Sequence, residues 1–199
     1  MKVLNFLVAG VGGQGTLLAS DILAEVGIRS GCDVKKSDVL GLAVRGGSVL
    51  SHVRWGERIA SPVIEEGEVD CMLAFEPLEA MRAIPFLRRE SIVVCNTHPI
   101  VPISVSSGDA RYPTRDEIER ALREAASVVH FVDATGLAAQ LKNPRVANVV
   151  LLGAFSTLLD VEPALWESVA LRRVPPRYED LNRAAFRAGR TLLNRREEA

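Results

Sequence analysis

The sequence predicts an α/β fold: a single Rossmann-like three-layer domain, a mostly parallel sheet flanked by helices, with a helical C-terminal segment over about 163–196. Three observations predict it. The apolar run Val3-Leu4-Asn5-Phe6-Leu7-Val8 enters Gly10-Val11-Gly12-Gly13-Gln14-Gly15 and then a helical pattern, the order of a strand, a glycine turn and a helix. Short apolar runs at 69–75, 91–95 and 128–133 then alternate with helical patterns, as units of a parallel sheet do. A chain of 199 residues with 48% hydrophobic and 25% charged residues suits one soluble domain with its own core, and no repeat or long linker divides it.

Taken in order, Gly10, Gly12 and Gly15 satisfy the G-x-G-x-x-G spacing. A helix starting there would aim unpaired backbone N–H groups and the positive end of its dipole at a ligand, so the amides around Gly12, Gly13, Gln14 and Gly15 form a candidate anion site. The plainer reading is that the glycines let helix and sheet pack closely. The following helix should run over 14–30, with Leu18, Ile22 and Val26 on one face and Gly31 as its stop. A short strand over 32–38 places Asp38 roughly where an acid binds ribose in a dinucleotide fold, or simply as a solvated loop acid.

Arg45-Gly46-Gly47 sets a planar cation where the backbone can bend, suited to a carboxylate, a phosphate or a partner's backbone, and equally to a surface salt bridge. The strand after it alternates, with Val49, Ser51 and Val53 on one face and Leu50, His52 and Arg54 on the other. Glu76 and Asn96 follow apolar strands, at the end where open α/β sheets bind ligands. Glu76 also precedes Pro77 at a helix start, and Asn96-Thr97 also suits a turn. Asp133 is a third acid at a strand end. Thr114-Arg115-Asp116-Glu117 reads as a helix N-cap with acids in the first turn. The run 147–159 is apolar all round and too short to span a bilayer, so it is a buried or interface helix. The tail helix is amphipathic through Tyr178, Leu181, Ala185, Ala188 and Leu192, and its Arg183, Arg187 and Arg190 face reads as solvated rather than nucleic-acid binding, with a subunit contact as the reading to test.

Composition narrows the function classes. A net charge of −1 gives no general reason for nucleic-acid binding. Cys32, Cys71 and Cys95 lie far apart, and His52, His98 and His130 lack metal-ligand spacing, which argues against a metal or iron–sulfur site on this chain and against a disulfide framework. The N-terminal apolar run enters the glycine turn directly and lacks the order of a signal peptide, so a cytoplasmic protein is the expectation.

The glycine turn, Arg45-Gly46-Gly47-Ser48-Val49, Ser51-His52-Val53-Arg54 and Ser61-Pro62 together resemble the gamma subunit or domain of 2-oxoacid:ferredoxin oxidoreductases. The likeness continues in order through Phe75-Glu76-Pro77-Leu78-Glu79-Ala80-Met81-Arg82, Asn96-Thr97, Tyr112-Pro113, 147–154 and 182–189, and is greatest to the small beta subunit of the indolepyruvate enzymes. Where that family has His-Gly-Met and then Gln before Arg-Gly-Gly, this chain has Leu40-Gly41-Leu42 and Val44.

The resemblance implies a small accessory subunit of an enzyme that oxidatively decarboxylates a 2-oxoacid, passes electrons to ferredoxin and forms an acyl-CoA. Thiamine diphosphate and iron–sulfur clusters would sit in a large partner subunit, coenzyme A would be co-substrate, and this chain alone would bind no cofactor and carry no catalytic residue. It also admits a homodimer within the heteromer. On that reading Gly10, Gly12, Gly13, Gln14, Gly15, Arg45, Gly46, Gly47, Glu76 and Asn96 are the candidate contacts to substrate, coenzyme A or another anion. A stand-alone NAD(P)-binding oxidoreductase and a non-catalytic scaffold are the alternatives.

Overall fold

The computed structural model describes residues 3–41, 43 and 46–194. Strands β1 (Leu4–Val11), β2 (Asp33–Leu40), β3 (Ser48–Gly56), β4 (Val69–Ala74), β5 (Leu87–Asn96) and β6 (Val128–Val132) form one sheet in the order β2-β3-β1-β4-β5-β6. β1, β4, β5 and β6 run parallel, while β3 is antiparallel to both β1 and β2. The helices are α1 (Thr16–Arg29), α2 (Pro77–Arg82), α3 (Ile103–Ser106), α4 (Arg115–Ala125), α5 (Ala134–Gln140), α6 (Ala147–Ser156), α7 (Pro163–Leu171) and α8 (Glu179–Asn194).

Central strands must be apolar on both faces, and β1 is. Its Phe6 and Val8 enter the core beneath α1, α6 and α8, and Leu7 and Ala9 the core beneath α2 and α4. These two cores make the three layers, as predicted. α6 is the all-apolar run foreseen from sequence: Val149 to Ser156 are all buried, between the sheet and α8.

One feature departs from a nucleotide-binding Rossmann half. The β2–β3 hairpin places β3 between β2 and β1, so β2 is the sheet's edge. Asp38 therefore sits away from the glycine turn, where its carboxylate accepts from Ser51 Oγ (2.5 Å) and Lys36 Nζ (2.8 Å). It is a strand residue bonded within the hairpin, not the solvated loop acid weighed against the ribose role.

The alternation read in β3 also holds: Val53 joins the α1-side core, and Leu50 packs against the other. Buried His52 accepts the Ile64 N–H at Nδ1 (3.2 Å) and meets the Phe86 ring edge-on, anchoring the connection to β4. Burial lowers its pKa, outweighing the opposing pull of Asp38. The unfolded chain therefore takes up the proton first. The stabilisation is complete above the unfolded value near 6.5 and is lost as pH falls below it. Urea melts from pH 8 to pH 5 should show that loss. His52→Gln, which keeps an acceptor but does not titrate, should flatten it, and an unchanged slope would refute the assignment.

Candidate functional site

β1 delivers the glycine turn to the carboxyl edge of the sheet. The Gly12 N–H donates to Gly47 C=O (2.8 Å) and the Gly46 N–H to Gly12 C=O (3.3 Å), so the two glycine segments extend the β1–β3 pairing. Gln14 clamps the turn from inside: its Oε1 accepts the Val11 N–H (2.8 Å) and its Nε2 donates to Phe75 C=O at the end of β4 (3.0 Å). Gly10 is required by contact, because a Cβ there would lie 2.6 Å from Thr16 Oγ1 and 2.8 Å from Phe75 Cβ.

Gly13 and Gly15 adopt left-handed φ values of 102° and 85°. Gly15 is the N-cap of α1, which has no side-chain cap and no acid in its first turn. The buried Thr16 Oγ1 has no hydrogen-bond partner. The positive end of α1 is thus left uncompensated by the described residues.

Across from the turn, the ends of β4, β5 and β6 and the start of α6 close a cleft of about 460 Å³. Asn96 ties three of these ends together: its Nδ2 donates to Phe75 C=O (3.2 Å) and Thr135 Oγ1 (3.0 Å), and its Oδ1 accepts the Ala134 N–H (3.1 Å). α6 starts with no side-chain cap from its N-cap residue and no acid in its first turn, while its Ala147 N–H donates to Pro144 C=O and its Val149 N–H to Asn148 Oδ1 (2.9 Å). Its Ala147 and Asn148 line the cleft opposite Gly13 and Gly15. Exposed Arg145 stands at the rim with no ion-pair partner among the described residues, and exposed His98 lies nearby. No acid is among the described lining residues. Two helix N-termini and an unpaired guanidinium around one cleft are groups whose chemistry suits an anion.

The family model described as pyruvate ferredoxin/flavodoxin oxidoreductase matches residues 5–192. The chain belongs to that family. It is 38% identical to the indolepyruvate oxidoreductase subunit IorB of Thermococcus kodakarensis, over 95% of each chain. It is 39% identical to the subunit of that name from Archaeoglobus fulgidus, over 94% of this chain and 93% of that one. It shares its fold with the gamma subunit of a keto/oxoacid ferredoxin oxidoreductase from Geobacter sulfurreducens, at a TM-score of 0.70 and 23% identity over 95% of this chain and 97% of that one. This chain is a small subunit of a 2-oxoacid:ferredoxin oxidoreductase, part of an enzyme complex.

For a small subunit of this family, the cleft redistributes the residues singled out from sequence. Gly13, Gln14, Gly15 and Asn96 line it; Gly10 and Gly12 support it through packing and pairing. Gly46 and Gly47 brace the turn from the β3 side. Arg45 lies outside the described residues. Glu76 is elsewhere engaged: buried to 1% exposure, its carboxylate caps α2 by accepting the Glu79 N–H (2.9 Å), and it also accepts from the Ile100 N–H (3.1 Å) and Tyr112 Oη. That is the helix-end role, which leaves the carboxylate satisfied inside the chain. Asp133 is spent in the same way, capping α5 through the Gly136 N–H (2.7 Å).

Sequence reasoning missed Arg145, Thr135 and the unpartnered Thr16 hydroxyl. Asn148 stood within a quoted motif without a role. The only local signal for Arg145 was its place just ahead of an uncapped apolar helix.

Cys71 and Cys95 are packing residues on β4 and β5, facing opposite cores, and burial pushes the Cys71 thiol up to about 12 and the Cys95 thiol higher. Among the described residues no group of three or more His, Cys, Asp or Glu is placed to hold a metal, and no helix is long and apolar enough to cross a membrane.

Gly15→Ala tests the shape of the turn. The new Cβ would lie 2.5 Å from Asn148 Nδ2, in a backbone conformation that costs an L-residue about 1–2 kcal/mol. The variant should melt at lower urea, with Asn148 displaced from the cleft. An unchanged midpoint would show that the turn relaxes freely.

Proposed function

We propose that this chain is the small subunit of an indolepyruvate:ferredoxin oxidoreductase and that its cleft binds the phosphates of coenzyme A. The overall reaction takes an aryl pyruvate, coenzyme A and two oxidised ferredoxins to an arylacetyl-CoA, carbon dioxide, two reduced ferredoxins and a proton. Indolepyruvate is favoured because the relatives sharing 38% and 39% identity carry that name. The observation that carries the binding role is the convergence of the α1 and α6 N-termini with Arg145 on a cleft with no acid among its described lining residues.

The donor set here does not suit iron–sulfur clusters, since two of the three thiols are buried in opposite cores. The clusters and thiamine diphosphate, which stabilises the carbanion left by decarboxylation, are assigned to a large cytoplasmic partner subunit that also meets ferredoxin. This chain supplies orientation. Backbone amides of Gly13 and Gly15 and the Arg145 guanidinium hold phosphate oxygens, while Asn96 and Gln14 keep the strand ends in place beneath them.

The test is to purify the chain with its large subunit and follow indolepyruvate-dependent ferredoxin reduction with and without it. Activity requiring both chains is expected. Full activity of the large subunit alone, or failure of the two to associate, would overturn the proposal.

A further inference from the structure

β2 is an edge of the sheet, and one hydrogen bond shows which of its backbone groups face outward. The Gly41 N–H donates to Ser48 C=O (3.0 Å), one step beyond the Leu40–Val49 pair that ends the β2–β3 register. Bonded and non-bonded pairs alternate along an antiparallel ladder, so Val39, Ser37, Lys35 and Asp33 also bond toward β3. Val34, Lys36, Asp38 and Leu40 therefore turn their N–H and C=O groups away from the sheet, where no further strand lies among the described residues. Such an edge is a template for another strand unless something blunts it. β2 has eight residues, pairs with β3 without a register shift and contains no proline, whereas the opposite edge, β6, has only five residues. A free lysine would guard the edge, but Lys36 is neutralised: its Nζ donates to Asp21 Oδ1 (2.7 Å) and Asp38 Oδ2 (2.8 Å).

Apolar side chains flank this charged centre. Leu40 adjoins Leu17 near the start of α1, while Val34 packs toward the α1-side core at the other end of the strand. Leu17, Asp21 and Ile28 share one face of α1, which lies along β2 through the Asp21–Lys36 pair, and the helix ends at Arg29 shortly before β2 begins at Asp33, so Ile28 falls at the Val34 end. Leu17, Ile28, Val39 and Leu40 are four of the nine large apolar residues left exposed among those described, so that exposure is concentrated on this edge.

A two-fold pairing of two copies sets one residue of β2 opposite itself, and charge selects which. Centring on Lys36 or Asp38 would place like charges face to face. Centring on Ser37 places Lys36 opposite Asp38 and Val34 opposite Leu40, each twice, with all of these outward-facing residues in the hydrogen-bonded pairs. The Leu17 and Leu40 end of one copy then meets the Ile28 and Val34 end of the other, and the Lys35 stem covers Val39. We propose that this chain forms a two-fold dimer through antiparallel β2–β2 pairing centred on Ser37, joining two six-stranded sheets into one. The occupant of the edge is a second copy because the edge complements itself both in charge and in the alternation of its hydrogen bonds. The pairing is independent of what the cleft binds.

Ser37→Cys tests the register. In a non-hydrogen-bonded pair the two Cα atoms stand about 4.5 Å apart, within reach of a disulfide. Mild oxidation should therefore link two full-length chains through position 37, alone and in the assembled enzyme, with the link located by peptide mapping. Val39→Cys is the control: it shares the face, but its two copies would lie roughly 14 Å apart and should not join. Light scattering should find the wild-type chain dimeric at micromolar concentration. Leu40→Pro removes an outward N–H and the contact with Val34 while sparing the bonds to β3, so its circular dichroism should be unchanged and its dimer dissociation constant should rise about tenfold or more. A monomeric wild type, no link at position 37, or an equal link at position 39 would overturn the pairing. So would a link at position 37 that forms in the isolated chain and is lost in the assembled enzyme, which would give the edge to a strand of the large subunit.

Discussion

Gly189→Ala should cost the chain about 3 kcal/mol or more, because its Cβ would have to occupy space held by another helix's backbone. α6 and α8 cross with glycine on both sides. A Cβ on Gly189 would lie 2.0 Å from Val150 C=O, and one on Gly153 would lie 2.2 Å from Phe186 C=O. Neither obstacle is the end of a flexible side chain, so one helix must move. α6 is pressed against the sheet through residues with almost no exposure, and α8 brings Ala185 and Phe186 into the same core. Pushing the helices apart opens voids on both sides of α6. α6 also carries Ala147 and Asn148 into the cleft at its N-terminus. Equilibrium urea unfolding would measure the loss, and Gly153→Ala should behave alike. A shift below about 1 kcal/mol in both would mean that the close crossing is not essential.

Arg145→Ala should leave folding nearly untouched and damage binding. The side chain is exposed and has no ion-pair partner among the described residues, so stability should change by no more than about 0.5 kcal/mol. In the assembled enzyme, losing charge-assisted contacts of about 1.5–3 kcal/mol should raise the KM for coenzyme A about 10- to 100-fold, with a smaller effect on kcat. Arg145→Lys should recover part of that, since it restores a point charge but not the planar fork. Added salt should weaken coenzyme A binding more in the wild type than in the alanine variant. An unchanged KM would show that the cleft does not hold the coenzyme's phosphates.

Several elements were legible one at a time. The β1–turn–α1 unit was, because apolar spacing and glycine placement act over a few neighbouring residues. So were the alternation of β3 and the burial of α6, an apolar run with no polar face to turn toward water. The Thr114 cap was readable as an N-cap followed by acids, and the structure adds that its hydroxyl and the Glu117 carboxylate satisfy each other's backbone N–H groups within one turn.

Residues at strand ends were legible only as alternatives. Glu76 and Asn96 occupy the same kind of position, yet one is consumed by a helix cap and by the 97–113 segment, while the other ties the ends of β4, β5 and β6 together in the cleft wall. The partners that decide this lie far off in the chain. Asp38 fails as a ribose ligand for a similar reason, since nothing local reveals that β3 returns between β2 and β1.

The sequence by itself determined the α/β class, the glycine turn, the buried α6 and the family, all carried by periodicity and by motifs in order. Tertiary structure alone decided the strand order, which acids are spent as caps, and that Arg145, distant along the chain, lines one cleft with Gly13 and Gly15. Backbone geometry is set within a few residues, whereas a cleft is made by the ends of elements that meet only when the sheet closes.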